Sequence, residues 1–63
     1  MPPKVREVVR RLESEGWDLM RQRGSHRQYR RRGSPYVVTV AGKPNEVLAT
    51  GTWNEIQRKA GWK

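Results

Sequence analysis

The sequence predicts an α+β fold in which two helices cover one face of a three-stranded antiparallel sheet. Two observations support it: an amphipathic stripe near each end of the chain, and three short strand candidates between them. The expected order is helix, three strands, helix, in one two-layer domain over residues 1–63. The other face of the sheet is then left to solvent or to a ligand.

The first helix is predicted from four apolar residues at i, i+3, i+4 and i+7, which form one stripe: Val5, Val8, Val9 and Leu12. Gly16 is its natural stop, because a left-handed residue commonly ends a helix. We expect Leu12 to contact Trp17, the residue after the glycine, and to seal the helix end.

Three strand candidates follow, separated by turn signals at Gly24-Ser25 and Gly33-Ser34-Pro35. They are about Trp17–Arg23, His26–Arg31 and Tyr36–Val40. Strict alternation in the third strand directs three side chains toward the helices: Tyr36, Val38 and Val40. In the first strand, alternation leaves open whether Leu19 or Met20 points inward.

The second helix is predicted to begin at Thr52, after a loop over residues 41–51. Thr52 and Glu55 have the spacing of a capping box. The helix stripe continues until Gly61 ends it, and consists of Trp53, Ile56 and Ala60. Trp17 and Trp53 are expected in the core, whereas Trp62 could pack on Ile56 or stack on a base.

Positive charge is the strongest compositional signal. Fourteen Lys and Arg residues face six Asp and Glu residues, for a formal net charge of +8. Six of the arginines fall within residues 21–32, a stretch with no acid. Such clustering favours an anionic partner, most often nucleic acid, over a merely solvated charged face.

The residues that several classes of function require do not occur in this sequence. Without cysteine there is no disulfide, thiolate metal site or cysteine nucleophile, and a reducing cytoplasm is the expected setting. No apolar run is long enough for a membrane span. There is no phosphate-cradling glycine loop and no histidine pair at metal-ligand spacing, so neither cofactor nor metal is expected.

His26 is the only histidine and the candidate catalytic residue. Arginines flank it on both sides in the sequence, among them Arg21, Arg23, Arg27 and Arg30. A neutral imidazole can take a proton from a ribose 2′-hydroxyl while arginines stabilise charge on the phosphate. The competing interpretation is an ordinary polar surface histidine beside a turn.

One histidine cannot act as base and acid from separate positions, so the second role would fall to water, Tyr29 or a nearby cation. Arg21 and Arg23 are the first candidates for phosphate contacts, followed by Arg27 and Arg30. Alternation sends some of these side chains to opposite faces, so they cannot all line one site.

Four segments of the chain resemble the HicA family of toxins: Gly16-Trp17, Arg21-Gln22-Arg23-Gly24-Ser25-His26-x-x-Tyr29, Val38-Thr39-Val40, and Gly51-Thr52-x-x-x-Ile56-x-x-x-Ala60-Gly61. The resemblance implies a fold like that of a double-stranded-RNA-binding domain. It also implies a ribosome-independent mRNA interferase with His26 as catalytic residue. The implied partner is a HicB-type antitoxin that covers this histidine.

Many relatives carry a second histidine just after the third strand, where this chain has Ala41-Gly42-Lys43-Pro44. Lys43 is the candidate for its place. The expected RNA contacts are Arg21, Arg23, Ser25, Arg27, Tyr29, Arg30 and Lys43. Two alternatives stay open: an RNA-binding module of the same fold that does not cut, and a small DNA-binding or ribosome-associated protein. No recognition helix supports the latter.

Overall fold

The computed structural model describes residues 1–63 and contains two helices and one antiparallel sheet. The elements are α1 (Val5–Ser14), β1 (Asp18–Arg23), β2 (His26–Arg30), β3 (Val37–Ala41) and α2 (Thr50–Ala60). The strand order is β1-β2-β3, and both helices pack against β3. The predicted two-layer fold is therefore confirmed.

The end of α1 has the predicted glycine-terminated geometry. Gly16 has a φ of 87°, and its N–H donates to the Glu13 carbonyl at 3.2 Å. The Trp17 N–H donates to the Leu12 carbonyl at 3.0 Å, and both side chains are buried in the same core cluster. These two bonds define a Schellman motif, so the expected Leu12–Trp17 contact is confirmed.

The core consists of ten buried residues between the helices and the sheet: Val5, Val8, Leu12, Trp17, Tyr29, Val38, Val40, Leu48, Ile56 and Ala60. Leu48 was not anticipated, because it lies in the β3–α2 connection. This connection is fixed to the start of α1: the Leu48 N–H donates to the Pro3 carbonyl and the Val5 N–H to the Glu46 carbonyl, each at 2.9 Å. The loop thereby closes one end of the core.

The prediction that Tyr36 begins the third strand and packs under the helices is wrong, because Tyr36 lies outside both β3 and the core. Val38 and Val40 are fully buried as expected, but Tyr36 is 44% exposed and precedes β3. The sheet pairing ends at Arg30 opposite Val37, so Tyr36 has no partner across the sheet. Its N–H instead faces the Ser34 hydroxyl oxygen at 3.3 Å, within the turn.

The second helix begins at Thr50, two residues before the predicted start, and has no capping box at Thr52. Glu55 pairs instead with Arg58 and Lys59, at 2.6 and 3.2 Å. Gly61 ends the helix in the left-handed conformation, as predicted.

Trp53 and Trp62 are partly buried and pack against the core. Their rings lie with centroids 6.0 Å apart, and the Arg11 guanidinium stacks 4.0 Å from the Trp62 ring. The Trp62 indole N–H donates to Glu15 at 2.8 Å. This bond, with a second one from Arg11, holds the pKa of Glu15 below its usual range. The chain end is thus fastened to the end of α1.

Candidate nucleic-acid interface

His26 is the first residue of β2, directly after the tight turn that joins it to β1. Gly24 supplies the positive φ of 58° that a two-residue hairpin turn with a leading glycine requires. Arg23 and His26 are direct cross-strand partners. The imidazole is exposed and stands at the end of the sheet next to the turn.

The face on which His26 stands follows from its neighbours in β2. Tyr29 is buried beneath the helices, so the residues at alternate positions, His26 and Gln28, project from the opposite face. Neither helix covers that face. The sheet therefore presents His26 to solvent on the side that the sequence analysis left for a ligand.

A register shift in β1 determines which arginines join His26. Leu19 pairs with Tyr29, but the next pair is Arg21 with Gln28, so Met20 is an extra residue in the strand. This β-bulge shifts the alternation by one position. Regular pairing from Leu19 would have placed Arg21 opposite Arg27, on the helix side.

The bulge also answers the open question about β1. Leu19 points to the helix side with its partner Tyr29, yet it is 48% exposed because β1 is an edge strand and the helices cover β3. Met20 is 58% exposed. Neither residue is part of the core.

Four side chains line one shallow depression on the open face, here called the His26 depression: Arg21, Arg23, His26 and Gln28. None of them is hydrophobic and none is acidic. Cross-strand partners on one face lie about 4.5–5.5 Å apart at their Cβ atoms, so two guanidinium groups can approach the same phosphate as the imidazole. This arrangement suits a phosphodiester more than an apolar ligand.

Arg27 and Tyr29 are not brought together with His26. Arg27 lines a groove beside α1 with Val9 and Glu13, and one of its guanidinium nitrogens is buried without a hydrogen-bond partner. Tyr29 is 1% exposed, and burial, reinforced by the negative charge of Glu13, raises the pKa of its phenol. Neither side chain reaches the open face.

The other three candidates lie at the margins of the open face. Arg30 shares the face with His26 by alternation, but it lies about 13 Å along β2 and lines a separate depression with Arg31 and Arg32. Ser25 is exposed in the turn, and its carbonyl accepts the Gly42 N–H at 3.2 Å. This bond holds the backbone of Gly42 close to the end of the sheet where His26 lies. Lys43 is the next residue after Gly42.

Gln28 also lines the depression, although it is not among the predicted site residues. The signal was present in the alternation His26-x-Gln28, which places both side chains on one face. Gln28 is neutral, so the clustering of charge in this segment does not point to it.

Other types of site find little support. No cluster of three or more His, Cys, Asp or Glu side chains could hold a metal ion. Neither helix is long and apolar enough to cross a membrane.

The fold and the open face together define a small basic α+β protein that carries a histidine and two arginines in one acid-free depression. Comparison with protein families gives a match to the HicA toxin of bacterial toxin–antitoxin systems over residues 5–62. The chain belongs to this family, as its motifs indicated, and its place is that of a toxin in a toxin–antitoxin system. No curated protein matched the chain.

Proposed function

We propose that the protein is a metal-independent endoribonuclease that cuts single-stranded RNA, with messenger RNA as its target, and that His26 transfers the proton. The observation that supports this most directly is the His26 depression, where an exposed imidazole shares an acid-free surface with Arg21 and Arg23. Family membership supplies the toxin role within which such cleavage makes sense.

In the proposed reaction, neutral His26 accepts the proton of a ribose 2′-hydroxyl. The 2′-oxygen attacks the adjacent phosphorus, and the bond from phosphorus to the 5′-oxygen breaks. Arg21 and Arg23 stabilise the negative charge that develops on the non-bridging oxygens. The products are a 2′,3′-cyclic phosphate and a 5′-hydroxyl, and the leaving oxygen takes up one proton.

The proton that the leaving oxygen takes up needs a donor on the open face of the sheet. Tyr29, one of the three expected sources, lies on the helix side of the sheet and its phenol is buried. The remaining sources are water and a nearby cation. Lys43 is the candidate cation, since its neighbour Gly42 bonds to the residue before His26.

The substrate is proposed to be single-stranded because the 2′-oxygen must align with the leaving oxygen, and an unstacked strand reaches that geometry more easily than a duplex. The expected partner is a HicB-type antitoxin that covers His26. A partner surface carrying acids over the His26 depression would exclude RNA and neutralise the two arginines at once.

The test is cleavage of a long single-stranded RNA in the presence of a chelator by the wild type, His26→Ala and His26→Gln. We expect loss of the proton acceptor to slow cleavage by about 10²–10⁴-fold in both variants. Wild-type products should carry cyclic phosphate and 5′-hydroxyl ends. A perfect duplex of the same sequence should be cut more slowly, and circular dichroism checks that the variants fold.

Equal cleavage rates for the wild type and both variants would show that His26 takes no part in the reaction. No cutting by any of them, with RNA binding retained, would instead favour the non-catalytic RNA-binding module. The two arginines support binding in either case, so cleavage and not affinity separates the two functions.

A further inference from the structure

Gln28 differs from the other residues of the His26 depression in its chemistry. Arg21 and Arg23 are donors only and carry full charge, so they suit phosphate oxygens, which are the same in every nucleotide. Gln28 is neutral, and its amide offers one acceptor and two donor hydrogens side by side. Such a group matches the paired donors and acceptors on base edges.

The surroundings of Gln28 leave its amide available. The side chain is exposed and forms no hydrogen bond within the chain. Gln22 provides the contrast, because it pairs with Arg27 on the helix side and its amide donates to the Gly24 carbonyl at 3.3 Å. Of these two strand glutamines, only Gln28 has its hydrogen-bonding capacity free for a ligand.

The position of Gln28 is also suitable for contact with a base. It lies two residues along β2 from His26, about 7 Å at the backbone, and directly opposite Arg21 on β1 and Thr39 on β3. A base that flanks a phosphate held between His26 and the arginines is therefore within reach of Gln28.

We propose that Gln28 is a specificity-determining residue that reads the base of a nucleotide flanking the cut phosphate. The proposal rests on the proposed function, since it assumes that the His26 depression holds the phosphate that is cleaved. The arginines then supply binding to any sequence, and the single amide supplies the preference among sequences.

The test compares wild type, Gln28→Met and Gln22→Met on a long RNA of mixed sequence, with all 5′-hydroxyl ends sequenced. Methionine has nearly the shape of glutamine but no amide, and both positions are exposed. We expect Gln28→Met to reduce the ratio of kcat/KM between the best and worst base at one flanking position by about tenfold. Gln22→Met should keep the wild-type preference.

Binding provides the second readout, in a His26→Ala background with four short single-stranded RNAs that differ at one base. The ratio of their Kd values should shrink on Gln28→Met. Unchanged base preference in Gln28→Met, in cleavage or in binding, would overturn the proposal, as would a wild type without preference. If no variant cuts RNA, the nuclease proposal fails, and the Kd ratios alone decide the role of Gln28.

Discussion

His26 and Arg27 are neighbours in the sequence, yet their side chains leave the sheet on opposite faces. The same alternation buries Tyr29 under the helices and exposes Gln28. A stretch of β2 that reads as uniformly polar therefore serves two purposes: one set of residues supports the core, and the other faces solvent. Substitutions at adjacent positions of β2 should therefore have different effects. Those on the helix side should lower stability, and those on the open face should impair RNA cleavage.

Tyr29 gives a prediction about stability at alkaline pH. Burial raises the pKa of its phenol above the ordinary value near 10, so the fold favours the protonated form. The corresponding stabilisation is complete below pH 10 and is lost as the pH rises through the folded-state pKa. We expect the melting temperature of the wild type to fall more steeply above pH 10 than that of Tyr29→Phe.

Thermal unfolding followed by tryptophan fluorescence at pH 8 and at several values above 10 measures this difference. Tyr36→Phe is the matched control, because Tyr36 is 44% exposed and lies outside the sheet. Equal alkaline loss in all three proteins would show that the phenol of Tyr29 does not contribute.

The two helices end in the same way. Both use a glycine with positive φ, Gly16 and Gly61, followed by a tryptophan whose N–H bonds back to the last turn. Gly51 is different, because it lies inside α2 without a positive φ, and a Cβ there would meet open space. Gly16 and Gly61 thus need the left-handed backbone conformation, whereas Gly51 does not.

We expect Gly16→Ala to lower stability by about 1 kcal/mol, because an alanine in the left-handed region is strained although only Arg31 lies near, at 4.0 Å. The melting temperature should drop by roughly 4–8 °C. Gly51→Ala should leave it unchanged or raise it, since alanine favours the helix. Calorimetry of the three proteins measures both effects, and equal melting temperatures would contradict the role of Gly16.

Local patterns predicted these elements well where one residue type forces one geometry. The Gly16 stop, the Leu12–Trp17 contact and the burial of Val38 and Val40 all followed from spacing. The start of α2 did not, because the Thr52–Glu55 pattern competes with Glu55 pairing to Arg58 and Lys59. A local signal can thus be satisfied by two alternative sets of partners.

The candidate site was predicted only in part. His26, Arg21 and Arg23 do share a surface, but their common face depends on the extra residue at Met20. A bulge has no signature in the alternation of β1, whose six residues are all exposed. Alternation predicted that some of the arginines would be excluded from the site, but it did not predict which ones.

For the whole molecule, the distribution of charge is more informative than its sum of +8. Of the six acids, only Asp18 lies on a strand, and it opens β1 far from the turn beside His26. The helix side and the loop carry the other five. The open face of the sheet is thus where an RNA backbone meets the least repulsion.

This asymmetry predicts how RNA affinity depends on salt. Three arginines stand on the open face, Arg21, Arg23 and Arg30, and each phosphate neutralised on a single strand contributes about −0.7 to the slope of log K against log salt. We expect a slope of about −2 for the His26→Ala protein, in which RNA is bound but not cut. Adding Arg21→Gln should reduce the slope to about −1.4.

The matched control is Arg27→Gln in the same His26→Ala background, measured by fluorescence anisotropy with a short single-stranded RNA from 50 to 300 mM salt, a range of about sixfold chosen to resolve the slope. Since Arg27 lies on the helix side, its loss should leave the slope unchanged. Equal reductions from Arg21→Gln and Arg27→Gln would mean that RNA also contacts the helix side. The open face would then not be the sole RNA surface, and an antitoxin would have to block both sides of the sheet to silence the toxin.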